Sequence, residues 1–180
     1  MSVGLPDFIE PFRLAERQAE MKGRLPISRL KRIHSALASD KGEVLAQICF
    51  GIDEQRQRYL DLMLKADVEL ICERCLGALS YEIETNSRLA LLESTHLSEH
   101  LPEGYEPLVL DQSDPVLLAS IIEDELILAL PLVPRHTQLD CNASVTKDEA
   151  KQQLQPEQSD DAVEKKNPFS VLANLRDKAD

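Results

Sequence analysis

The sequence predicts an α+β fold: a mainly antiparallel sheet or partial barrel with N-terminal helices and one long helix packed on it. Two observations predict it. Apolar and polar residues alternate through three stretches, 44–50, 59–72 and 79–85, the period-two signature of half-buried strands. Later, Leu117, Leu118, Ile121, Ile122, Leu126, Ile127 and Leu130 recur at helical spacing and make an apolar face wide enough to pack on a sheet.

The chain has 180 residues, enough for one domain with tails. It is 43% hydrophobic but only 4% aromatic and has no Trp, so its core must be aliphatic. The formal net charge is -12 with a pI near 4.8, which argues against general nucleic-acid binding, because phosphate contacts need clustered Lys and Arg. An acidic surface suits a basic protein partner instead. Residues 1–10 carry no secretory-signal pattern, and the longest apolar run, 116–133, is broken by Glu123, Asp124 and Glu125. A cytoplasmic chain with reduced thiols and no membrane contact is expected.

In chain order, Pro6 and Pro11 keep the first stretch extended. A short polar helix is predicted over 12–21. A second helix over 26–38 follows from the stripe Ile27, Leu30, Ile33 and Leu37, with Pro26 at its start. Arg13, Arg17, Lys22, Arg24, Arg29, Lys31 and Arg32 lie here, the one basic region of an acidic chain. They read either as a solvated face or as a contact for RNA or a partner.

Residues 39–42 form a turn. Val44, Ala46, Ile48 and Phe50 mark a strand in which Cys49 is expected to be a buried, inert thiol. Leu60, Leu62, Leu64, Val68 and Leu70 mark the next strand, with a bulge expected at 65–67, where two charges interrupt it. Leu79, Tyr81, Ile83 and Thr85 mark the return strand, extended by 88–92. A polar loop holds His96 and His100, and a short strand begins at Tyr105. Asp114 is placed to cap the long helix and Pro115 to open it. That helix runs to about 130, where Pro131 and Pro134 end the pattern. The domain layout is a globular domain over 1–141, an acidic, Gln-rich disordered linker over 142–166 and a short amphipathic motif over 167–176.

Chemistry concentrates at Cys72 and Cys75, three apart on the tip between two strands. A redox pair would require a helix N-terminus to lower a thiol pKa, and the neighbouring Glu73 is expected to raise it. As half of a tetrahedral zinc site the pair fits better, with His136 and Cys141 as the second half, spaced i and i+5. His96 and His100 are the competing ligands, and two small residues in a hairpin are the bland alternative. Glu123, Asp124 and Glu125 come with no nucleophile, base or Gly-rich phosphate loop, so the sequence does not argue for an enzyme.

Five ordered blocks resemble the bacterial YceD family, the large ribosomal RNA subunit accumulation proteins. They are Leu5-Pro6-Asp7-Phe8-Ile9-Glu10-Pro11, Leu70-Ile71-Cys72-Glu73-Arg74-Cys75-Leu76, Tyr105-Glu106-Pro107, the run 122–136 (IEDELILALPLVPRH), and the run 167–175 (NPFSVLANL). The resemblance covers nearly the whole chain. It implies a non-enzymatic ribosome-biogenesis factor that supports synthesis, processing or accumulation of 23S ribosomal RNA. In many members the loop after the Leu-Pro-Leu-x-Pro run carries additional cysteines; here that loop keeps Cys141, with His136 at its start. The expected partners are ribosomal or ribosome-assembly proteins, held by Glu123, Asp124 and Glu125 and by Asn167, Pro168, Phe169 and Leu172. Precursor 23S RNA on the basic arm, a thiol-redox protein and an RNA-processing enzyme are the alternatives.

Overall fold

The computed structural model describes residues 4–112 and 114–137. The described chain runs β1 (Phe8–Ile9), α1 (Pro11–Glu16), β2 (Glu20–Pro26), two 3-10 turns (Ile27–Arg29 and Ile33–Ala36), β3 (Glu43–Ile52), β4 (Arg58–Ile71), β5 (Ala78–Leu92), a 3-10 turn (Thr95–His100), β6 (Glu106–Val109), β7 (Val116–Leu117) and α2 (Leu118–Ala129). By compactness the chain divides into Met1–Ser144 and Val145–Asp180. The stretches over 142–166 and 167–176 lie outside the described residues.

Five strands make one open sheet in the order β2-β3-β4-β5-β6. Neighbours are antiparallel except β5 and β6, which run parallel. No closed barrel forms among the described residues. The long hairpin β4–β5 is its axis, in register from Tyr59 opposite Ala90 to Ile71 opposite Ala78. The predicted alternation holds along β3 and β4: Val44, Ala46, Ile48 and Phe50, then Leu60, Leu62, Leu64, Ala66, Val68 and Leu70, are all buried. They meet Phe12 and Ala15 of α1, Ile27, Leu30 and Ile33 of the 3-10 segments, and Leu118, Ile121, Ile122 and Leu126 of α2. Each fully buried Leu or Ile contributes about 1.5–3 kcal/mol. The other sheet face is open and carries the charged residues of each strand.

Several expectations are corrected. The helix over 12–21 stops at Glu16, because Gln18 adopts φ 49 and the chain turns into β2, whose Glu20 pairs with Cys49. The helix over 26–38 is two 3-10 turns. The i+3 spacing of Ile27, Leu30 and Ile33 serves those turns equally well, since residues three apart eclipse in a 3-10 helix. No bulge occurs at 65–67: pairing runs on without a break, with Ala66 buried between Lys65 and Asp67 on the open face. α2 starts at Leu118, because β1 recruits Val116 and Leu117 as a short antiparallel partner. It spans 12 residues, three turns rather than a long helix. Cys49 is half-buried on the open face.

Two acids of α2 fix this helix to the rest of the fold. Glu123 accepts the backbone N–H of Ile33 at 3.1 Å, the N–H of Arg32, and the Arg32 Nε at 2.9 Å. It thereby satisfies donors at the start of the second 3-10 turn that have no partner within the turn. Arg32 also reaches Asp124 and the Ser120 carbonyl, and the carboxylates of Asp124 and Glu123 hold its guanidinium pKa above the ordinary value. Glu125 accepts a hydrogen bond from the Ser87 hydroxyl of β5. Burial pushes the Glu125 carboxyl up, and the Ser87 bond only partly opposes this.

Glu123→Ala is expected to cost on the order of 2–4 kcal/mol, since it orphans the buried N–H of Ile33 and the part-buried N–H of Arg32 and releases the Arg32 side chain; urea unfolding reads the loss. Glu125 has the opposite sign. Its raised folded pKa gives stability that is present below the ordinary carboxyl range and is lost as pH rises through the raised value. Glu125→Gln is therefore expected to be more stable than wild type at neutral pH, with the difference vanishing in acid, as measured by thermal melts across pH.

Candidate metal centre

The β4–β5 hairpin ends in a tight turn that places both cysteines. Cys72 N–H donates to the Gly77 carbonyl at 2.9 Å, and Leu76 N–H donates to the Cys72 carbonyl at 2.8 Å. Leu76 takes φ 58, a left-handed conformation that closes the loop. The segment leaving α2 is tied to the same tip. Glu73 N–H donates to the Pro134 carbonyl at 2.9 Å, and Arg74 Nη2 donates to the His136 carbonyl at 2.9 Å.

His136 is held against the sulfurs by these contacts. Its Nε2 lies 3.0 Å from the Ala78 carbonyl, and its Nδ1 lies 3.5 Å from Cys75 Sγ. A carbonyl only accepts, so the Nε2–Ala78 contact assigns the proton to Nε2 and leaves the Nδ1 lone pair facing the sulfurs. A carbonyl partner of this kind also fixes the ring of a metal-binding histidine. The ligand atoms of Cys72, Cys75 and His136 all lie within 4.8 Å of one another. An ion bound at about 2.0–2.3 Å in tetrahedral geometry separates its donors by roughly 3.3–3.8 Å. The sulfur–nitrogen distance already falls in that range.

Burial alone would push the Cys72 thiol up. The backbone N–H groups of His136, Cys75 and Arg74, with the Cys75 thiol, outweigh burial and bring it down to about 5. The expected effect of Glu73 is thus overturned: the turn's amides set the pKa. A thiolate at neutral pH can bind metal or attack a disulfide. Cys72 has no accessible surface, which denies it an attacking partner and leaves ligation as the chemistry that fits. Three donors with a fixed tautomer and amide-supported sulfur match a metal ion. The fourth expected ligand, Cys141, lies outside the described residues.

The other expected site residues are dispersed. Glu123 and Glu125 are interior, 6% exposed each, and occupied by the contacts above; Asp124 is the exposed member of that triplet. Most of the basic arm is neutralised: Arg13 by Glu10, Arg24 by Glu43, Arg29 by Asp7, and Arg32 by Glu123 and Asp124. Arg17, Lys22 and Lys31 are the members for which no such pair is found among the described residues. Asn167, Pro168, Phe169 and Leu172 lie outside the described residues. His96, in a 3-10 turn, does not join the cysteines. The role of Arg74 in binding the His136 carbonyl was not anticipated. A cation between two cysteines, able to reach a neighbouring carbonyl, was the one sequence signal for it.

The family model for the large ribosomal RNA subunit accumulation protein YceD matches residues 60–176. A curated relative, the large ribosomal RNA subunit accumulation protein YceD of Haemophilus influenzae, is 30% identical over 176 residues, covering 98% of both chains. No solved structure matches. No helix among the described residues is long and apolar enough to cross a membrane. The matches span the strand axis, the cysteine turn and α2, and with them the chain belongs to the YceD family of large ribosomal RNA subunit accumulation proteins.

Proposed function

We propose that this chain is a non-enzymatic, cytoplasmic ribosome-biogenesis factor that supports processing and accumulation of 23S ribosomal RNA. The observation that carries the reading is the match to a large ribosomal RNA subunit accumulation protein over 98% of both chains. In this reading the cysteine turn is a structural zinc clasp: Cys72, Cys75 and His136 bind the ion, with Cys141 as fourth ligand. Bound zinc would supply crosslinking of the hairpin to the segment after α2, and no catalysis. Asp124, with the peptide containing Asn167, Pro168, Phe169 and Leu172, would contact a ribosomal or assembly protein.

Three experiments test this. Protein purified without added metal is expected to carry one zinc per chain by elemental analysis, and a Cys72→Ser/Cys75→Ser variant none. Chelation should lower the melting temperature of wild type by roughly 5–10 °C and leave the variant unaffected, because zinc binding and folding are linked. Metal-free wild-type protein would remove the clasp. In cells lacking the protein, 50S subunits and the ratio of 23S to 16S RNA are expected to fall at least twofold on sucrose gradients, with wild-type chain restoring both. An unchanged gradient would end the ribosomal reading.

A further inference from the structure

At the far end of the hairpin from the cysteines, the open sheet face carries a second built cluster. Arg88 of β5 stands opposite Asp61 of β4, and its Nε and Nη2 donate to the two carboxylate oxygens at 2.6 and 2.7 Å. This grip fixes the plane of the guanidinium. The guanidinium carbon lies 4.8 Å from the Tyr59 ring centroid and 5.7 Å from that of Tyr105. The two rings meet edge to face, 69° apart. Each ring is itself held. The Tyr105 hydroxyl donates to Asp53 at 2.9 Å, and Asp53 accepts the N–H groups of Gln55 and Gln57. Tyr59 lies across Gly51, where an added Cβ would stand 2.5 Å from the ring hydroxyl, so that position needs glycine. The Arg88 side chain remains 47% exposed.

A hollow of about 380 Å³ opens beside Arg88 and Tyr105, lined also by Met63, Asn86 and Glu103. It shares Met63 and Asn86 with a wider groove of about 780 Å³, reaching Leu45, Gln47, Lys22, Arg24 and Lys65. Leu45 and Met63 are exposed at its centre. We propose that this face binds single-stranded RNA. A base stacks on the fixed Arg88 plane, a neighbouring base rests on Met63 and Leu45, and Lys22, Arg24 and Lys65 take the phosphates.

The chemistry favours RNA over a protein partner. A planar cation locked against an aromatic ring is a stacking surface for a nucleobase. The Asn86 and Gln47 amides each offer a donor and an acceptor to base edges. The groove gathers cations in a chain of net charge -12, so a basic protein would find its complement elsewhere. Lys22 has no ion pair among the described residues. The pairs of Arg24 with Glu43 and Lys65 with Glu84 are exposed, so a phosphate can replace either carboxylate at little cost. This inference rests on the ribosomal-RNA reading and supplies it with a contact surface centred away from the basic arm; Lys22 and Arg24 belong to both.

Fluorescence anisotropy of the full chain with a fluorescein-labelled ten-nucleotide oligoadenylate RNA tests it. Wild type is expected to bind with a shallow salt slope of about -2, the value for three phosphates on a single strand. Arg88→Lys keeps the charge and loses the plane, and should weaken binding at least tenfold. Lys22→Ala should weaken it about threefold and flatten the slope. Arg13→Ala/Arg29→Ala should bind as wild type. Should Arg88→Lys fail to fold by circular dichroism, Asn86→Ala, on the exposed face, takes its place with an expected loss of about threefold. No binding by wild type, equal binding by the Arg88 variant (or by the Asn86 variant in its place), equal affinity for the same RNA in a duplex, or equal affinity for adenosine monophosphate would each overturn the proposal. Depletion of 50S subunits in cells lacking the protein, together with no RNA binding by the purified wild-type chain, would overturn this inference alone.

Discussion

The pairing of β4 with β5 is the constraint on which the rest depends. Its ladder runs unbroken from Tyr59 opposite Ala90 to Ile71 opposite Ala78. A slip of one residue would send Leu60, Leu62, Leu64 and Leu70 to the open face and expose the core. The same register sets both clusters of functional interest. At one end it closes the turn that points Cys72 and Cys75 at His136; at the other it puts Arg88 opposite Asp61 and beside Tyr59. Strand length keeps the two ends apart: the 12 residue steps from Tyr59 to Ile71 rise roughly 40 Å at the strand spacing.

The parts of the fold legible in the sequence were those where side-chain period and burial agree. β3, β4 and β5 alternate because one sheet face is buried and the other open, and that pattern requires no knowledge of neighbours. The N-terminal segment was misread where spacing is degenerate. Ile27, Leu30 and Ile33 satisfy a helical stripe and successive 3-10 turns equally, and only the need to span the buried sheet face decides between them. β2 offered few apolar positions, since Lys22 and Arg24 face outward and Gly23 has no side chain.

The candidate site divides in the same way. Thiol and imidazole chemistry made Cys72, Cys75 and His136 legible, because few roles suit such a set. Glu123 was not legible as an internal clamp. An acidic triplet on a helix looks like surface until Arg32, 91 residues away, arrives with its two adjacent N–H groups. A charge becomes tolerable in the interior only with such partners, and those partners are a long-range fact. The Arg88 cluster was hidden for the same reason: Asp53, Tyr59, Arg88 and Tyr105 are scattered in the sequence and are united only by the strand register.

On the proposed RNA face, an overall charge of -12 is less of an obstacle than it looks. At physiological ionic strength the screening length is about 8 Å, so a phosphate in the groove feels chiefly the cations beside it. Stacking adds about 1–3 kcal/mol per base and does not depend on net charge. A protein that relies on stacking more than on phosphate attraction prefers bases that are free to be stacked, and duplex RNA hides them. Such a surface would hold an RNA segment while it is unpaired and release it as that segment folds. An acidic body would assist the release, because little nonspecific attraction holds the folded RNA afterwards. Transient contact of this kind suits a factor that promotes accumulation of an RNA without remaining bound to the finished particle.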